Sequence, residues 1–143
     1  MSIRTMSIDD YDAIIAMFAA TPGVTVRDAD NREATAVYLE RNPGLSFVAE
    51  EAGAIVGCVM CGHDGRRGYL QHLVVNPAYR GRGLGEALTS ACLDALEALG
   101  IRKTHIFVLK TNDIANQFWP KRGWQLREDI YMYSYNRSDN PNI

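Results

Sequence analysis

The residues best placed to do chemistry lie in one run: Arg80, Gly81, Arg82, Gly83, Leu84, Gly85 and Glu86, between the end of an expected strand and the start of an expected long helix. The first amides of a helix lack intrahelical acceptors, and glycine lets an anion approach without Cβ interference, so such a turn can cradle phosphate oxygens. The helix dipole adds about 0.3 to 1 kcal/mol for a surface anion. That positions a diphosphate but leaves tight binding to an extended ligand. Two other phosphate patterns fit poorly. A Walker loop needs Lys and then Ser or Thr after its second glycine, and a dinucleotide fingerprint needs a third glycine where Glu86 stands. Taken alone, the glycines serve equally well as a tight strand-to-helix turn, so the flanking sequence must decide.

The elements that would hold this turn can be read from apolar spacing. Leu84, Ala87, Leu88, Ala91, Ala95, Leu96 and Leu99 mark an amphipathic helix of about four turns that Gly100 closes. Upstream, Leu45 to Glu50, Ala54 to Cys61 and Tyr69 to Val75 read as a three-strand meander, joined through Glu51 to Gly53 and through the turn around Asp64 and Gly65. Asn76 and Pro77 end the third strand, because proline cannot donate to a ladder. Ser2 to Thr5 reads as a short strand, followed by a helix carrying Ile8, Tyr11, Ile14, Ile15 and Phe18 and a shorter one carrying Ala34, Val37 and Tyr38. Lys103 to Leu109 is expected as a strand, Asp113 to Lys121 as a short helix, and Trp124 to Tyr135 as a final strand or hairpin. The pattern implies one mixed α/β (α+β) domain over residues 1–136, with residues 137–143 as a loose tail.

Composition narrows the classes. A chain of 143 residues with 47% apolar and 22% charged residues is ordinary for a globular domain. Fifteen basic against 17 acidic residues give a net charge of −2, so no global field draws it to nucleic acid or an anionic membrane. The longest apolar stretch, around Ala54 to Cys61, is far short of the roughly 20 residues of a spanning helix. No export signal opens the sequence and the cysteines number three, which points to free thiols and a cytoplasmic location. Cys58 and Cys61 would point to opposite faces of a regular strand, and no second Cys or His pair completes a zinc site, so no metal is expected.

With these elements in place, the chain resembles the GNAT superfamily of N-acetyltransferases from about Ile3 to Tyr135. Arg80, Gly83 and Gly85 match that family's Arg or Gln, two residues, Gly, one residue, Gly or Ala signature. Asn112, Ala115 and Phe118, followed by Gly123 and Trp124, are similar to its second pattern. The resemblance implies a mostly antiparallel sheet flanked by helices, with two central strands splayed, and acetyl-CoA as cosubstrate between them. Main-chain groups of Leu73, Val74 and Val75 would hold the acetyl and pantetheine part, the amides from Gly81 to Glu86 the diphosphate, and Asn112 would approach the pantetheine arm. The activity implied is acetyl transfer to a primary amine by direct attack in a ternary complex. The acceptor is unspecified, and a homodimer is compatible with the family although the sequence itself is silent on it. A noncatalytic acyl-CoA sensor is the alternative.

Acyl transfer to an amine needs a neutral nucleophile, oxyanion stabilisation and a proton for the departing thiolate. In the resembled family a base often comes from the strand before the glycine turn, at positions similar to Tyr69 and Gln71; Gln71 cannot be a base but can orient a water. His72 has the right unperturbed chemistry, yet regular alternation sets it opposite Tyr69, Gln71 and Leu73 unless a bulge re-aims it, which favours packing. The family's thiolate-protonating tyrosine corresponds to Trp119, whose indole cannot do that job. Tyr133, with Tyr131 and Tyr135, or solvent would then substitute. Asp28, Asp30 and Glu33 could favour a cationic acceptor, although an exposed helix start is the reading the sequence favours.

Overall fold

Alternation of β-formers and turn residues produces one sheet in the computed structural model, which describes residues 1–143. Its strands are β1 (Ser2–Thr5), β2 (Phe47–Glu51), β3 (Ala54–His63), β4 (Gly68–Val75) and β5 (Thr104–Ile106), in that spatial order. The first four are antiparallel neighbours; β4 and β5 run parallel. A parallel pair needs a crossover, and helix α3 (Leu84–Ala98) supplies it. Helices α1 (Tyr11–Ala19) and α2 (Arg32–Arg41) precede the meander, and α4 (Asp113–Lys121) follows β5. The mixed α/β class and mostly antiparallel sheet expected from the sequence are present.

Two apolar cores lie on opposite faces of the sheet. Leu84, Leu88 and Leu96 of α3 meet Val59, Cys61 and Leu70 on one face, while Met17 and Phe18 of α1 meet Val48, Cys58, Met60 and Val74 on the other. Cys58 and Cys61 therefore do face opposite ways. All three cysteines are buried free thiols, and burial pushes the Cys58 thiol up to about 12.

The register of β3 against β4 shifts between Cys58 and Met60: Cys58 pairs with Val74, but Met60 pairs with Gln71. β4 therefore carries an extra residue there, and His72 takes a left-handed backbone at φ 50°. Such a bulge changes which face each side chain joins. Leu70 belongs with the α3 core and Leu73 and Val75 pack there too, whereas Gln71 lies opposite Met60 and Val74 joins the α1 core. His72 stacks on Phe18, with ring centroids 5.1 Å apart. The expectation that His72 lies opposite Tyr69 and Gln71 is thus corrected: all three share the α1 face.

Two further boundaries differ from expectation. β5 stops at Ile106, where β4 ceases to pair with it, so Phe107 to Leu109 leave the sheet. Residues 124–135 form no strand, and Tyr131, Tyr133 and Tyr135 are exposed. Beyond them, the Asn140 and Asn142 side chains donate to the Asp28 carboxylate.

Arg4 joins β1 to the start of α1 and to β2. Its guanidinium donates to both oxygens of the Asp10 carboxylate, at 2.7 and 2.9 Å, and to Glu50 at 2.7 Å. Asp10 is buried, and the Arg4 hydrogen bonds hold its carboxyl below the usual carboxylate range. A lowered folded-state value contributes stability that is complete above the unfolded value of about 3.9 and is lost as the carboxyl protonates on acidification. Asp10→Asn is expected to lose about 2 kcal/mol in urea unfolding at pH 7 and to flatten the fall in stability below about pH 4. An unchanged acid dependence would contradict the role given to this carboxylate.

Candidate active site

The glycine turn begins where β4 ends. Asn76 caps a single 3-10 turn (Pro77–Tyr79) by accepting the Ala78 amide at 3.0 Å, which swings the chain toward α3. Gly81 and Gly83 then adopt φ 77° and 78°, values that side-chain-bearing residues rarely take. Space for a Cβ is open at both. No loop carbonyl or side chain takes the amides from Gly81 to Glu86; the first amide bonded is that of Ala87, which donates to the Gly83 carbonyl at 3.0 Å. Six consecutive donors at a helix N-terminus are thus left without acceptors in the chain, an arrangement that can cradle an anion.

Gly85 has a different reason to be glycine. A Cβ there would lie 3.0 Å from the Phe118 ring, so α3 and α4 approach closely at the base of the cradle. The Arg122 guanidinium covers Phe118 at 3.7 Å from the ring centroid and lies 4.0 Å from Glu86. Arg82 turns away, stacking over Tyr79 and lying 3.7 Å from Glu51. Arg80 is exposed beside the turn.

A gap opens between β4 and β5 next to this cradle. Their parallel pairing covers only Gly68 with Thr104, Tyr69 with His105 and Leu70 with Ile106. From Gln71 onward the β4 edge facing β5 has no strand partner. Leu73, Val74 and Val75 therefore present main-chain groups to which an extended amide-bearing chain could add as a strand. Across the gap, Asn112 caps α4 by accepting the Ala115 amide at 3.1 Å, and its side-chain nitrogen has no partner in the chain. The Asn116 amide ties the same loop together, donating to the Leu109 and Asn112 carbonyls at 2.9 Å each. Asn112 belongs to the sequence pattern given above; Asn116 lies outside it.

Tyr69 is half-buried beside His105 and Phe107, with centroids 5.7 and 6.3 Å away, and Gln71 is exposed on the same face at the mouth of the gap. The structure does not bring Tyr133 to them. It is 90% exposed on the unpaired C-terminal segment, where nothing orients its hydroxyl. Trp119 is buried in the α3 core, edge-on to Phe118 and Trp124 at 4.9 and 4.7 Å. Its role is packing. Among residues outside the expected site, Asp30 accepts from His72 Nε2 at 2.8 Å. No sequence signal marks that pair, because the bulge that creates it carries no glycine.

A strand pair that opens beside a free helix N-terminus can take an extended amide-bearing chain along the strand edge and an anion at the helix. The sequence profile of the acetyltransferase (GNAT) family matches residues 11–124, and the chain belongs to that family. It is 39% identical over 133 residues to an acetyltransferase of Pectobacterium atrosepticum, covering 92% of this chain and 93% of the relative. An acetyltransferase of Sodalis glossinidius is 32% identical, with 92% of each chain covered. The fold matches the crystal structure of the PaiA N-acetyltransferase of Thermoplasma acidophilum in complex with coenzyme A, with TM-score 0.78, 18% identity, and 88% and 90% of the two chains covered. It also matches AAC(6')-Iy bound to a CoA–acetylneamine bisubstrate analogue, with TM-score 0.74, 19% identity, and 94% and 97% covered.

Proposed function

We propose that this protein transfers the acetyl group of acetyl-CoA to a primary amine by direct attack in a ternary complex. The carrying observation is the run of unbonded amides from Gly81 to Glu86 next to the unpaired edge of β4. In this reading the amides of Gly81, Arg82, Gly83, Leu84, Gly85 and Glu86 hold the diphosphate, with Arg80 beside them. The main chain of Leu73 to Val75 holds pantetheine and orients the thioester carbonyl. Asn112 contributes its free side-chain nitrogen from the opposite wall. The bound cosubstrate supplies an activated acyl group whose carbonyl accepts the amine, so no metal is needed.

The acceptor approaches on the α1 face, where Gln71 and Tyr69 line the mouth of the gap. Gln71 can hold a water through which an amine proton leaves, and Tyr69 gives that route an amphipathic wall. The departing thiolate takes its proton from solvent, in keeping with the exposure of Tyr133 and the burial of Trp119. Tyr133→Phe is therefore expected to leave turnover and its pH profile unchanged; loss of the profile's basic limb would restore Tyr133 as the acid. The cytoplasmic assignment rests on three unpaired buried thiols, the state favoured by a reducing compartment.

Thiol release from acetyl-CoA, followed with a panel of polyamines, amino-acid amides and aminoglycosides, tests this reading. Turnover with an amine supports it. Acetyl-CoA binding without turnover against any amine would favour the sensor alternative.

A further inference from the structure

We propose that this chain forms a dimer in which each copy lays residues 130–135 along the outer edge of the other copy's β5. Both surfaces that would meet are open in the single chain. Residues 125–135 make no backbone hydrogen bond within the chain. Water can satisfy those groups, yet it does not account for the side chains they carry. In extended chain Tyr131, Tyr133 and Tyr135 fall on one face and Ile130 and Met132 on the other, and all five are 57–90% exposed. A strand with one solvated face alternates apolar with polar residues. This run is apolar or aromatic on both faces, the pattern of a strand that neighbours cover on both sides.

β5 is the last strand of the sheet and pairs only with β4. Its outer edge is open along Thr104–Ile106 and onward, where Phe107 and Leu109 are 65% and 62% exposed. Ile106 and Val108 pack toward the α3 core. Natural sheets block such edges with charge, proline or a bulge. Neither run has that guard: residues 104–109 and 130–135 contain no Lys, Arg, Asp, Glu or Pro.

The arm is held at both ends in its own chain. Trp124 packs edge-on against Trp119, and Asn140 and Asn142 donate to Asp28 in the loop before α2. Arg127, and more weakly Lys103 just before β5, lower the Asp129 carboxyl to about 2, so the arm sets out beside β5 and still does not pair with it. A second copy carries the complementary edge, and exchange about a two-fold axis pairs both arms at once. The size is sufficient. Three tyrosines per arm, at about 150–250 Å² each, bring two arms to the roughly 1,000 Å² of a specific interface. A net charge of −2 sets little repulsion between copies.

The exchange also completes one wall of the gap beside β4. Phe107 and Val108 make no backbone hydrogen bond, and they lead to the loop that ends at Asn112. A strand added on their outer side holds that wall extended, facing Leu73 to Val75. The dimer stands without the acetyl-transfer reading; this consequence for the site rests on it.

Light scattering, amide hydrogen exchange and acetyl-CoA calorimetry together test the proposal. Wild type is expected at twice the 15.9 kDa chain mass, with slow exchange at residues 130–135. Met132→Pro removes a ladder donor at a position that bonds to nothing in the chain, so each copy keeps its fold and the mass falls to one chain. Met132→Ala keeps the donor and stays dimeric. Acetyl-CoA affinity of the Met132→Pro monomer is expected to be about 3- to 10-fold weaker, because a site ordered only part of the time loses that fraction in apparent affinity. A wild type of one chain mass would overturn the dimer, and slow exchange at residues 130–135 in that monomer would mean that the arm closes on its own β5. A dimer whose residues 130–135 exchange as free chain would overturn it too, by placing the contact elsewhere. Equal acetyl-CoA affinity in dimer and monomer would overturn the role in the site. A wild-type dimer that binds no acetyl-CoA would overturn the functional reading and leave the exchange standing.

Discussion

Replacing Gly83 by Val is expected to weaken acetyl-CoA binding by about 10- to 30-fold in titration calorimetry. Gly83 caps α3 at φ 78°, in the left-handed region, and a Cβ there would touch nothing in the chain. The substitution therefore acts through the backbone and through the space an anion needs, not through a clash with the protein. A left-handed residue with a side chain is disfavoured by about 1–2 kcal/mol, more so when β-branched. If the turn relaxes to negative φ, the amides from Gly81 to Glu86 no longer converge; if it holds, Cβ would stand where the proposed diphosphate approaches. Either route weakens the same contact, and 1.4 kcal/mol is a factor of ten. Affinity equal to wild type would remove the diphosphate from this turn.

Trp119→Ala should be the most damaging single change to stability among residues near the site, by about 4 kcal/mol in chemical unfolding. The indole is buried between Phe118 and Trp124 and closes the core beneath α4. Its loss leaves a cavity that the neighbouring rings only partly fill. The effect should extend to binding, because Phe118 is the surface against which Gly85 brings the first turn of α3. Trp119→Phe is expected to recover much of the stability and to show the wild-type pH profile. A selective kinetic defect in Trp119→Phe, with stability retained, would mean that the indole does more than pack.

Much of this arrangement is legible before any coordinates. The α3 pattern from Leu84 to Leu99 and the α4 span Asp113–Lys121 are set by local periodicity and caps, and the helices form where those signals predict. The glycine turn is legible for the same reason: left-handed backbone at Gly81 and Gly83 is a local demand that only glycine meets cheaply. The bulge is not legible. Nothing in Gln71–His72–Leu73 signals a left-handed histidine, and regular alternation gives the opposite face, so the His72–Asp30 contact across 42 residues stays hidden. The extent of β5 is likewise decided by its neighbour. Lys103 to Leu109 has strand-like composition, but pairing ends at Ile106 because β4 departs from it. Residues 124–135 carry the aromatics of a strand without a strand to pair with, and composition does not distinguish those two situations.

Crystallographic electron density for the acetyl-CoA complex is the most direct measurement. The diphosphate is expected on the amides of Gly81 to Glu86 and the pantetheine arm along Leu73 to Val75, between β4 and β5. Density for the diphosphate on another surface, with β4 and β5 zipped together beyond Leu70 and Ile106, would contradict it.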